Sequence, residues 1–172
     1  MTGIEDALAH IYQGGLVRDQ VLRDQLLAQL EGGQAYMPVA AIIREFNWED
    51  AGRKPIGIRH TPWQLLEHLR ISQWDILRFT LDPDHESPKW PDEYWPEEDV
   101  PFNEAHWHRS VETFFEELEQ VKTLARDPAT NLFSQIPHGT GQTILREILL
   151  VADHNAYHLG QFLMIRRALE SD

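Results

Sequence analysis

The sequence predicts an all-α fold: a four-helix bundle with extra short helices and one long loop rich in proline and tryptophan. Three observations predict it. Apolar residues recur at three- and four-residue steps across several long stretches, which is the period of one helix face. Caps, glycine pairs and Asp-Pro stops bound those stretches. Strand signals are scarce, with no sustained β-branched alternation and no Asn-Gly or Asp-Gly hairpin turn.

The elements follow in chain order. A short helical segment from Ile4 to about Gln13 precedes Gly14-Gly15, and a longer helix runs from about Leu16 to Leu30 with Leu22, Leu26 and Leu30 in line. Gly32-Gly33 ends it, because glycine accepts the left-handed cap conformation. A short helix from Pro38 to Phe46 and an irregular stretch from Asn47 to His60 come next. The second long helix begins with Thr61 as N-cap, Pro62 in the first position and Gln64 completing a capping box; it reaches about Thr80 before Asp82-Pro83. Its buried stripe is Leu65, Leu69, Ser72, Ile76 and Phe79. The third helix spans about Asn103 to Arg126, with Trp107, Val111, Phe114, Leu118, Val121 and Ala125 on one seam. The fourth runs from about Gly141 to Leu169, and Ile144, Ile148, Val151, Asn155, His158, Phe162, Ile165 and Leu169 step by threes and fours throughout. Seams of this kind bury their apolar side chains when helices pack at a shallow angle. Between the second and third helices, Asp82 to Pro101 carries five prolines together with Trp90, Tyr94 and Trp95. Proline lowers the entropy lost on ordering such a segment and the aromatics give it something to pack with, so a packed flap is expected in preference to a substrate-contacting lid.

A length of 172 residues fits one domain, residues 1–172, able to bury its own core. The chain has no cysteine, which removes disulfides and thiolate ligands from consideration. The N-terminal MTGIEDALAH lacks a basic leader followed by an apolar run, and no stretch approaches the roughly 20 apolar residues that span a bilayer. A cytoplasmic protein without a membrane partner is the expectation. Fifteen Lys and Arg against 28 Asp and Glu give a net charge of −13, a field that repels phosphate backbones, so nucleic acid is not an expected partner.

Nine histidines are present, and their placement matters more than their number. His154 and His158 form an H-x-x-x-H pair within the fourth helix. Residues four apart share a face, so both imidazoles can reach one ion at roughly 2.0–2.1 Å. Such pairs often only hydrogen-bond or face solvent. Here His158 and the polar Asn155 occupy steps of an apolar seam, and burying polar groups without partners costs a few kcal/mol. His68 lies one turn after Leu65 and one before Ser72, near the buried edge of the second helix. A lone histidine there reads as a satisfied core residue. With histidines facing inward from another helix, the three make a facial nitrogen site with positions left open. His106 and His108 flank Trp107 and cannot share its face; His10, His60, His85 and His138 fall in ends or loops and read as surface or structural. Glu67, Asp75, Asp153, Tyr157 and Gln161 are the candidates to hold the ligating rings in place. No phosphate-cradling glycine loop, G-x-S-x-G elbow or H-E-x-x-H motif occurs.

The stretch TPWQLLEHLRISQWDIL (residues 61–77), followed by IPHGTGQTILRE (136–147) and LLVADHNAYHLGQFLMIRRAL (149–169), resembles the DinB-like (YfiT-like) family of metalloenzymes. The similarity runs from about Leu16 to Leu169, and the H-x-x-Y-H-x-G-Q run paired with an upstream E-H-L on a separate helix is its specific part. The resemblance implies up-down-down-up connectivity, a homodimer, and a divalent ion, commonly zinc or nickel, held by His68, His154 and His158. Characterised relatives include thiol-dependent S-transferases and an isomerase that uses a low-molecular-weight thiol. An enzyme acting on a small molecule is therefore the expectation: a metal-dependent S-transferase or isomerase, with a low-molecular-weight thiol as second cofactor. Glu67, Tyr157 and Gln161 are the candidates for catalytic groups. A metal-dependent hydrolase and a non-catalytic stress protein that binds metal or a small ligand are the alternatives.

Overall fold

The seams of the long helices close into a ring of four, and the pairings give their directions. In the computed structural model residues 2–170 are described, with side chains from residue 15 onward. Five α-helices and no strand occur among them: α1 (Thr2–Glu31), α2 (Val39–Ile43), α3 (Pro62–Leu81), α4 (Glu104–Arg126) and α5 (Ile144–Glu170). α3 packs against α4 and α5, and α1 closes the ring by packing against the same two helices. Trp63 meets His106 and Gln73 meets the Phe114 carbonyl, so α3 and α4 run parallel. His68 meets His158 while Gln73 meets Asn155, so α3 and α5 run antiparallel. Arg23 reaches the end of α4 and Glu31 reaches back to Lys122, so α1 opposes α4. The result is up-down-down-up.

The seams are buried over most of their length, but on α3 Ile76 and Phe79 of the expected stripe are only half-buried, while Leu66 and Leu77 are fully buried. Leu26 and Leu30 of α1, the whole α4 seam from Trp107 to Ala125, and Ile148, Val151, Phe162 and Ile165 of α5 form one core with Leu65 and Leu69 of α3. Thr61 caps α3 as expected: its Oγ1 accepts from the Gln64 amide at 3.2 Å, and Gln64 Oε1 accepts from the Thr61 amide at 3.1 Å. Three elements differ from the sequence expectation: α2, expected from Pro38 to Phe46, covers only Val39–Ile43, and α1 and α5 have other limits. α1 is one helix of 30 residues and does not break at Gly14-Gly15. A glycine inside a helix costs only about 1 kcal/mol relative to alanine, too little to interrupt a helix that is continued on both sides. α5 begins at Ile144 and not near Gly141, because Gly141 has φ +122° and the preceding residues are tied to 132–136 instead. Ile136 donates to the Gln142 carbonyl and Ile144 to the Ser134 carbonyl. No described helix is long and apolar enough to cross a membrane.

The segment between α3 and α4 is pinned at both ends. Asp75 on α3 accepts from the Tyr94 hydroxyl at 2.6 Å and from His85 Nε2 at 2.8 Å. Further along, Thr61 Oγ1 donates to the Asp99 carbonyl and Gln64 Nε2 donates to the Asp99 carboxylate. It is a flap packed against the part of α3 that carries His68, where α3 and α5 bring their histidines together.

Candidate metal centre

His68 projects from the second turn of α3, and His154 and His158 from successive turns in the middle of α5. The antiparallel packing of those helices brings the three rings together. One ring nitrogen from each lies within 4.8 Å of the other two, and His68 Nε2 is 3.1 Å from both His154 Nε2 and His158 Nε2. Two nitrogens bound to one ion at 2.0–2.1 Å stand roughly 3–3.4 Å apart, so the spacing matches a shared cation.

Proton placement gives the stronger argument. His68 Nδ1 lies 2.8 Å from the Tyr94 carbonyl oxygen. A carbonyl only accepts, so Nδ1 carries the hydrogen and the neutral ring leaves a single lone pair at Nε2. That lone pair faces two imidazole nitrogens. It can accept from one of them at most, whichever tautomers His154 and His158 adopt, and a buried lone pair facing another is repulsive. His158 Nδ1, donating to Gln161 Oε1 at 3.0 Å, turns its own Nε2 lone pair inward as well. Added protons are disfavoured. Burial pushes His68 down to about 4 and His154 to about 3, each lowered further by its histidine neighbours, and burial lowers His158 too. Two inward lone pairs, on His68 and His158, beside a third neutral imidazole make a donor set that hydrogen bonds within the triad cannot fully satisfy and a cation can.

The flap completes the surroundings. Trp95 stacks flat on His68, with ring centroids 3.8 Å apart and planes 3° from parallel. Its other face stacks on His60 at 3.9 Å. The flap thus orients the His68 ring twice, through the Tyr94 carbonyl and the Trp95 face. Asp75 acts one step further out, holding the Tyr94 hydroxyl; burial and this carboxylate keep that phenol protonated far above its ordinary range. Beside the triad opens a cleft of about 640 Å³ whose walls include His158, Trp95, His60, Gln161 and Tyr157. His158 therefore connects the buried nitrogens to a space of the size small-molecule sites occupy.

The other sequence candidates fall in different places. Gln161 holds His158. Tyr157 is exposed in the cleft wall and packs edge-on against the His158 ring at 4.8 Å. Glu67 is buried, but Arg70 occupies both of its oxygens, at 3.0 and 2.8 Å. Asp153 is exposed. His85 is structural, bound to Asp75; His138 donates to the Phe79 carbonyl; His106 packs edge-on against Trp63 and His108 is exposed. His10 lies outside the residues whose side chains are described. His60, expected to be surface or structural, instead lines the cleft and sandwiches Trp95. Sequence reasoning named Tyr94 and Trp95 only as packing aromatics of the flap. Their positions over His68 come from a contact 26 residues away in sequence, made from the flap beyond the end of α3, which no periodicity signals.

Residues 24–162 match the model of the DinB superfamily. No curated protein and no solved structure matches the chain significantly. The match covers most of the chain and includes all three histidines. The chain belongs to the DinB superfamily.

Proposed function

We propose that this protein is a metal-dependent enzyme acting on a small molecule, with a divalent ion held by His68, His154 and His158. The observation that carries the reading is the over-subscribed lone pair at His68 Nε2, with two imidazole nitrogens 3.1 Å away. A cleft of about 640 Å³ reaches the same triad through His158. Imidazole donors suit zinc, nickel, copper and iron, and zinc or nickel is the ion that the family resemblance favours. Such an ion supplies Lewis acidity, lowering the pKa of a thiol or water so that a nucleophile forms near neutral pH.

The chain's own groups then have defined tasks. Tyr94 and Trp95 fix the His68 ring, and Gln161 fixes His158, so the donor set is oriented before an ion arrives. The flap shields one side from water while the cleft leaves the other side open. Tyr157, exposed beside His158, is the group available to hold or move a proton in the cleft; Glu67, committed to Arg70, is not. Within this reading the chemistry is thiol-dependent S-transfer or isomerisation, in the cytoplasm and as a homodimer.

Metal analysis of protein purified without a histidine tag is the first test. About one equivalent of zinc or nickel is expected in the parent and less than a tenth in His68→Ala, since two nitrogens from one helix remain. An empty parent ends the proposal. Metal-loaded parent is then offered a panel of low-molecular-weight thiols with small electrophiles. Turnover that needs the thiol supports transfer or isomerisation; turnover with water alone supports a hydrolase. No turnover with full metal occupancy leaves a non-catalytic metal-binding protein.

A further inference from the structure

The cleft beside the triad is chemically unlike the rest of the molecule. The chain carries 28 acidic residues and a net charge of −13, yet none of the residues lining this cleft is Asp or Glu. Its one fully ionised side chain is Arg59. Among the described residues the Arg59 guanidinium has no ion-pair or hydrogen-bond partner, whereas most other arginines of the chain are paired. Its charge, with that of Lys54, acts on His60 at the same wall. Arginine offers a planar fork of donors that matches a carboxylate. The same lining includes the apolar Leu65, Met164 and Ile165, of which Leu65 and Ile165 are almost fully buried and Met164 is largely exposed. Gln161 spends its oxygen on His158, which leaves its amide hydrogens free to donate.

From this arrangement we infer that the cleft binds an amphipathic carboxylate, with the anion on Arg59 and the apolar body along Leu65, Met164 and Ile165. This assigns a substrate class to the proposed enzyme and rests on that reading for its catalytic meaning. The binding claim itself stands on the cleft alone. In an acidic protein an anion is repelled everywhere except where the local charge is reversed, so an unpaired arginine at a carboxylate-free cleft acts as a selectivity element. A cationic ligand meets no carboxylate there.

Octanoate, octanamide and octylamine share one chain and differ in charge, and they are the probes. Each is titrated into zinc-loaded and chelator-treated protein, followed by NMR of the backbone amides and tryptophan indoles. Octanoate is expected to bind about tenfold or more tighter than octanamide, with octylamine weakest, as suits one charge-assisted pair. Arg59→Gln should remove that preference, bringing octanoate to the affinity of octanamide, and Arg59→Lys should retain part of it. Arg59 is exposed, so these variants keep the fold, which their amide spectra verify. Equal binding of octanoate and octanamide overturns the inference. So does a carboxylate preference that survives Arg59→Gln but vanishes on chelation, since the ion would then be its partner. An Arg59-dependent preference that persists in chelated protein upholds the binding site even where His68→Ala and metal analysis defeat the enzyme proposal.

Discussion

Glu117 is a residue whose position conflicts with its chemistry. It sits on the buried side of α4 at 7% exposure, and its Oε2 has no hydrogen-bond partner. Burial raises its pKa to about 7, even though Arg70 and Arg78 pull the other way; Glu67 also raises it. Arg70 cannot do more, because its guanidinium already grips Glu67. The unfolded carboxyl releases its proton near 4.5 and the folded one near 7. Between those values the native state holds more protons, so this group's contribution to stability falls as pH rises and levels off above about 7. Glu117→Gln removes the charge at constant shape. Urea unfolding is expected to find the variant more stable than the parent at pH 8, by an amount of the order of 1–3 kcal/mol, with little difference at pH 4.5. A gap that does not change between those pH values would mean that Glu117 is not the titrating group.

At the scale of the element, the flap between α3 and α4 decides how rigid the histidine site is. Trp95 gives His68 a parallel aromatic face, and the Tyr94 carbonyl fixes its tautomer. Removing an outer partner of a ligating histidine typically weakens metal binding by roughly 10–100-fold. Trp95→Ala should therefore lower zinc affinity by about tenfold in competition with a chromophoric chelator, and Trp95→Phe should recover part of the loss. Unchanged affinity in the alanine variant would show that the carbonyl alone orients the ring. The flap also marks where the sequence stops being readable. The seams of α3, α4 and α5 are legible because a buried helix face repeats every 3.6 residues, and the His154–His158 pair is legible because four residues make one turn. His68 could be joined to them through the closeness of α3 and α5 that those seams imply. Trp95, His60 and Arg59 could not, since they reach the site from irregular chain, where position follows from non-local contacts and carries no period. The continuous α1 has the opposite cause: two glycines signal a break by composition, but their propensity penalty is small beside the packing of Leu22, Leu26 and Leu30.

For the whole molecule, an ion at the triad would tie α3 to the middle of α5 and so join residues 86 apart in sequence, His68 and His154. The opposite side of the ring is already secured. Arg23, buried between α1 and α4, donates to the carbonyls of Ala125, Asp127 and Thr130 and so satisfies the end of α4. The α3–α5 side has the Gln73–Asn155 hydrogen bond and, one turn away, the histidine nitrogens that hydrogen bonds leave under-satisfied. The unfolded chain offers no preformed triad, so an ion binds the native state in preference and stabilises it by mass action. Free zinc at a hundred times its dissociation constant contributes about 2.7 kcal/mol. In a domain of this size each kcal/mol moves the midpoint by roughly 2–4 °C, so chelation should lower Tm by about 5–10 °C. His68→Ala should melt at one temperature with zinc or with chelator, because the ligand from α3 is gone. A parent whose midpoint ignores zinc across that range would mean that the three rings do not act as one site in the folded protein. A shift of equal size in His68→Ala would assign the bound ion to other residues.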